Sequence, residues 1–121
     1  MSKELSIVAN LSFSKGGAKV TRQVSIKVDV AGDAFAHGVQ DVTTGEVELA
    51  QLAAVGDPGW VLIINLDDTN YIEVGALTGE YTVKILAGEF ALYRHDKEES
   101  STILAKANSG TVSVEYFIFE N

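Results

Sequence analysis

Cysteine is absent from the chain, which excludes a disulfide framework and any thiolate metal site. Histidine occurs twice, at His37 and His95, far apart and each alone, so solvated or hydrogen-bonded structural roles fit them better than catalysis. No Lys or Arg occurs between Lys27 and Lys84, while Asp29, Asp33, Asp41, Glu46, Glu48, Asp57, Asp67, Asp68, Glu73 and Glu80 fall in that interval. Binding to a phosphate backbone rests on Lys and Arg displacing counterions, so nucleic acid and anionic membrane are not the expected partners. Although 46% of the residues are hydrophobic, no apolar run approaches the roughly 20 residues of a membrane span. The start, Met1-Ser2-Lys3-Glu4, has no basic n-region leading into an apolar stretch, and no signal peptide is expected from it. The net charge of −8 has an ordinary use in keeping a protein soluble.

What is present is a succession of short strand patterns. With 121 residues, one domain is expected, large enough for a core without staples. Leu5, Ile7, Ala9, Leu11 and Phe13 alternate with mostly polar neighbours, and Val24, Ile26, Val28 and Val30 do the same. Between them Ser14-Lys15-Gly16-Gly17 supplies the positive φ of a tight hairpin turn. Such a hairpin, spanning about residues 5–30, either stands out as an arm or lies along a sandwich, and the sandwich is the expectation. From Ala34 to Ala50 the pattern is weaker; Val42 to Leu49 reads as a strand interrupted at Thr44-Gly45, and Glu48 to Val55 has brief helical character.

The run Gly59-Trp60-Val61-Leu62-Ile63-Ile64-Asn65-Leu66 reads as a strand covered on both faces, with Trp60 in the core. Asp67-Asp68-Thr69-Asn70 is turn chemistry, and Tyr71 to Gly75 reads as the strand returning from it in a central hairpin. Strands then follow at Tyr81–Leu86, with Tyr81, Val83 and Ile85 facing one way, at Phe90–Arg94, and at Thr102–Ala107. The charged loop from His95 to Ser101 is expected to be exposed. In the last strand, Thr111 to Phe119, Val112, Val114, Tyr116 and Ile118 share a face. Phe117 and Phe119 fall on the other face, so either this strand is central and buried in the monomer or a partner covers one side. The fold class expected is all-β, a single-domain antiparallel β-sandwich or jelly roll over residues 1–121.

Searching for chemistry gives little. No serine lies in a Gly-x-Ser-x-Gly elbow, and Gly16-Gly17 lacks the ending and the helix of a phosphate loop. Asp67, Asp68, Thr69, Asn70 and Glu73 carry the oxygens calcium takes, but their spacing is not that of an EF-hand, and hairpin turns use the same residues. No catalytic residue, cofactor or metal is nominated. Aromatics such as Trp60, Tyr71, Tyr81, Phe90 and Tyr93 invite a carbohydrate reading, against which most fall on apolar strand faces. The interface candidates are Phe117 and Phe119, and, in the N-terminal hairpin, Leu5 and Ile7.

One combination of segments adds to this. Pro58-Gly59-Trp60 is followed by Asn65-Leu66-Asp67 with Thr69-Asn70-Tyr71-Ile72-Glu73-Val74-Gly75, then by Lys84-Ile85-Leu86-Ala87-Gly88-Glu89-Phe90-Ala91-Leu92-Tyr93-Arg94. After these come Ala105-Lys106-Ala107-Asn108 and Val114-Glu115-Tyr116. The combination resembles a group of small structural proteins encoded by tailed bacteriophages. The resemblance covers about half the chain, from Pro58 on; the opening fifty or so residues match only as a hairpin. It implies a non-enzymatic virion protein, a capsid decoration (cement) protein or a neck or tail component, found in the virion and in the host cytoplasm during assembly. Its partners would be the major capsid protein or other virion proteins, and it would self-associate, as a trimer by analogy with cement proteins at threefold positions. The alternative is a carbohydrate-binding β-sandwich module of a phage tail or neck. Arg94 and Lys106 are expected to pair with acids on neighbouring strands, at little gain if exposed.

Overall fold

The structure is a computed structural model that describes residues 3–30, 32, 34–50 and 55–121. Two compact units divide the chain, Met1–Ala31 and Gly32–Asn121. The first is one antiparallel hairpin, β1 (Leu5–Lys15) and β2 (Ala18–Val28), paired in register from Leu5↔Val28 to Lys15↔Ala18. Its two-residue loop, Gly16 and Gly17, has φ of 57° and 86°, the doubly positive conformation whose twist matches that of the flanking strands. β1 and β2 form a two-stranded sheet of their own. Its alternating apolar residues include Leu11, Phe13, Val20 and Val24, all exposed.

The second unit is a sandwich of two four-stranded antiparallel sheets. One has the order β3 (Phe35–Val42), β10 (Val112–Glu120), β5 (Pro58–Asn65), β8 (Phe90–Arg94). The other has the order β4 (Val47–Glu48), β9 (Leu104–Ala107), β6 (Ile72–Gly75), β7 (Val83–Ile85). Only the connection from β6 to β7 stays within one sheet, and each other step from β3 to β10 crosses between them. That order is the jelly roll, an all-β solution in which two sheets share one core. Val42, Val61, Ile63, Val112, Val114 and Ile118 enter the core from the first sheet, and Ile72, Val74, Ile85, Ala105 and Ala107 from the second. Leu49, Val55 and Ile103 complete it from the connections.

This crossing pattern corrects the central hairpin. β5 and β6 do not pair: β5 lies between β10 and β8, and β6 between β9 and β7. The polar turn between them is real, for Asp67 Oδ2 accepts the backbone N–H of Thr69 at 3.0 Å and of Asn70 at 2.7 Å. It is a corner between sheets, fixed by Asn65, which is 1% exposed. The Asn65 amide donates to the carbonyls of Asn70 (3.0 Å) and Ile85 (3.1 Å), and its oxygen accepts the Asp67 N–H (2.8 Å).

Four other expectations change. A strand, β3, begins at Phe35, where a weak pattern was read; only the interruption at Thr44-Gly45 separates it from β4. Of the helical stretch at Glu48–Val55, residues 51–54 lie outside the described residues, Glu48 is strand, and Ala50 has a left-handed φ of 65°. Trp60 is half-buried on the outer face of β5 and is not part of the core. His95 is 6% exposed, its Nε2 2.6 Å from the Ser100 carbonyl and its backbone N–H donating to Gly59 O at 2.8 Å, so a charged loop hides a buried ring.

Candidate functional site

The feature that departs furthest from a self-sufficient sandwich is the outer face of the β3-β10-β5-β8 sheet. Directly opposed residues of antiparallel strands share a face, so the register writes out its rows. His37, Phe117, Leu62 and Leu92 form one row; Val39, Glu115, Ile64 and Phe90 form the next. Phe35 opposes Phe119, and Trp60 opposes Arg94. Because strand side chains alternate, these are the residues left outside when Val61, Ile63, Val112, Val114 and Ile118 go in. Phe35, Val39 and Phe90 are 63%, 62% and 66% exposed.

Local contacts order the face without covering it. The imidazole of His37 stacks on the Phe117 ring at 4.1 Å, and its Nε2 lies 3.0 Å from Glu115 Oε2. Phe35 and Phe119 stack with ring centroids 6.3 Å apart. At one end the Ser113 hydroxyl donates to Asp41 at 3.0 Å; at the other Arg94, over the Trp60 ring, donates to Asn121 Oδ1 at 2.8 Å. Arg94 thus bonds an amide where an acid was expected. Strands of 8, 9, 8 and 5 residues, about 4.8 Å apart with about 3.3 Å per residue, give this face roughly 500 Å². That is at the size of the largest apolar patch on a typical monomer, a patch that is often functional.

The opposite sheet faces outward quite differently. Lys106, Glu73 and Lys84 form a charged row across β9, β6 and β7. Lys84 lies 4.2 Å from the Tyr71 ring centroid and Lys106 4.9 Å from that of Tyr81. Glu46 accepts from the Tyr81 phenol, from Thr78 Oγ1 and from the Gly79 N–H, which holds its carboxyl below the ordinary range, the Tyr81 bond being the largest cause. The same bond raises the Tyr81 phenol.

A cleft of about 400 Å³ opens beside β8, lined by Leu77, Glu80, Tyr93, His95 and Asp96 among others. Burial alone pushes the Tyr93 phenol up to about 12. His95, in the lining of this cleft, has its Nε2 against the Ser100 carbonyl and its backbone N–H donating to Gly59 O.

Of the residues singled out from the sequence, Phe117 and Phe119 lie together on the apolar face, in a strand central by pairing whose inner face is core and whose outer face is half-buried. Leu5 and Ile7 belong to the hairpin unit, opposite Val28 and Ile26 at its open end. Phe35, Val39, Leu62, Ile64 and Phe90 were missed as surface residues. Their signal is the run from Trp60 to Ile64, too apolar for a strand with one buried face. No protein-family model, curated protein or solved structure matches the chain.

Proposed function

We propose that this chain is a structural protein of a bacteriophage virion, a capsid decoration (cement) protein that acts through protein–protein contact. The observation that carries the reading is the outer face of the β3-β10-β5-β8 sheet, where Phe35, Val39 and Phe90 are each more than 60% exposed beside Phe117, Phe119, Trp60, Leu62 and Ile64. Burial of each such side chain is worth roughly 1.5–3 kcal/mol, which is offset in part by the cost of association. Repetition over a symmetric shell multiplies the effect through avidity. Two supports are by analogy: the phage-protein resemblance of the segments from Pro58 on, and the use of jelly rolls in viral capsid domains.

Jelly rolls also serve as lectins, but a glycan platform needs free ring faces. Lys84, Lys106 and His37 occupy one face of the Tyr71, Tyr81 and Phe117 rings, which narrows the ring surface a sugar would stack on chiefly to the exposed Phe35 and Phe90. The test is the double variant Phe117→Ser/Phe119→Ser, checked for folding by circular dichroism. It should lose co-sedimentation with purified capsid shells, at least tenfold in affinity from the buried area removed. A folded variant that sediments with shells as wild type does would overturn the reading.

A further inference from the structure

The N-terminal hairpin is a second surface of complementary kind. Its register places Leu5, Ile7, Leu11 and Phe13 on the same face as Val20, Val24, Ile26 and Val28, while the other face is largely Ser, Asn, Gln, Thr and Lys. Leu11, Phe13, Val20 and Val24 are 65%, 51%, 54% and 42% exposed. A two-stranded hairpin by itself is marginal in water, so an apolar face of this length gains order when something covers it.

Charge separates between the two units in the same complementary way. Of the nine Lys and Arg, five fall in residues 1–31, against two of the seventeen acids; that leaves this segment at +3 and residues 32–121 at −11. The hairpin's apolar face carries Arg22, opposite Leu11, and Lys15. The apolar sheet face carries Asp41 and Glu115 toward one end, with Arg94 at the other. We infer that the occupant of the β3-β10-β5-β8 face is the N-terminal hairpin of a second copy of this chain, with Arg22 and Lys15 directed to Asp41 and Glu115. Sheets pack face to face about 10 Å apart, and two strands of eleven residues cover roughly 350 Å². One such contact falls short of the roughly 800 Å² per partner of a stable interface. In a closed dimer each copy gives one hairpin and receives another within the same interface, about 700 Å² per copy and close to that figure.

This inference rests on reading the sheet face as a protein contact, and the absence of cysteine allows a test that separates the two. Leu11→Cys and Val39→Cys are prepared as separate full-length proteins, checked by circular dichroism, mixed, and oxidised. The mixture should give the mixed disulfide in several-fold excess over either homodimer, and wild type should sediment as a dimer. Arg22→Glu should weaken self-association about tenfold. A monomeric wild type, or a disulfide that closes only within one chain of the Leu11→Cys/Val39→Cys double variant, would overturn the inference. If the monomer still needs Phe117 and Phe119 to bind capsid shells, the contact reading survives and the hairpin exchange alone falls. Should neither self-association nor shell binding depend on this face, both fall.

Discussion

Replacing Asn65 by alanine tests the corner on which the jelly roll turns. Asn65 sits at the end of β5 in one sheet and donates to Ile85, whose residue ends β7 in the other. Alanine leaves the Ile85 and Asn70 carbonyls and the Asp67 N–H without their partner. The two nearer the surface recover water, but Ile85 is 1% exposed. An unsatisfied buried group costs about 1–3 kcal/mol; adding weaker losses at the other two, Asn65→Ala should cost about 3 kcal/mol. The assay is urea unfolding followed by the fluorescence of Trp60, the single tryptophan and a member of the same strand. The midpoint should fall with the slope unchanged, since the surface exposed on unfolding stays the same. Asn65→Asp should cost more at neutral pH, because it turns a carboxylate oxygen toward two carbonyls. That excess should shrink as the pH falls, since burial raises the pKa of the introduced acid and protonation returns one donor. A loss below about 1 kcal/mol for Asn65→Ala would refute the account, because it would fall under the smallest cost expected of one orphaned buried carbonyl.

Trp60→Ala should cost about 1–2 kcal/mol in the same assay, below the about 3–5 kcal/mol of a core aromatic, since the side chain is half-buried on the outer face; a core-sized loss would contradict that placement. Tyr93 has its pKa raised from 10.0 to about 12 by burial, so the folded state holds the phenol proton more tightly than the unfolded one. The stability from this group is complete below pH 10 and is lost as the pH climbs toward 12, about 2–3 kcal/mol in all. Urea midpoints at pH 8 and 11 should therefore converge in Tyr93→Phe relative to wild type, and equal pH slopes in the two proteins would count against it.

Much of the fold is legible because alternation is a local signal. Val112, Val114 and Ile118 are inward in β10, which is shifted one residue from the expected bounds, and Phe90–Arg94 is β8 as its pattern suggests. The allocation of strands to sheets is not local. Asp67 makes the same backbone bonds whether the chain folds back beside itself or crosses a corner, and what decides it is Asn65 reaching Ile85, twenty residues away in sequence. β3 escapes notice because its pattern is inverted: Phe35, His37 and Val39 face out, and small or polar Ala36, Gly38 and Gln40 face in. At Gly38 a Cβ would meet the Tyr116 hydroxyl at 2.9 Å, so a larger residue would have to push that ring aside. His95 reads as solvated beside five charged neighbours, and only the Ser100 carbonyl explains its burial.

The candidate surface was half legible for a related reason. Phe117 and Phe119 announce a second apolar face, yet sequence alone leaves open whether the monomer or a partner covers it. The structure separates pairing from covering: β10 and β5 are both inner strands of their sheet, and still their outer side chains are only half-buried, with His37 stacked on Phe117 and Phe35 on Phe119. An open apolar face of this extent favours indiscriminate association. The sandwich unit carries −11, so two such units repel before their faces meet. A segment at +3 with an apolar face of its own does not meet that barrier. The same charge that keeps sandwiches apart thus favours hairpin-to-sheet contact over sheet-to-sheet contact, and selectivity of this kind comes from the repulsive element as much as from the attractive one.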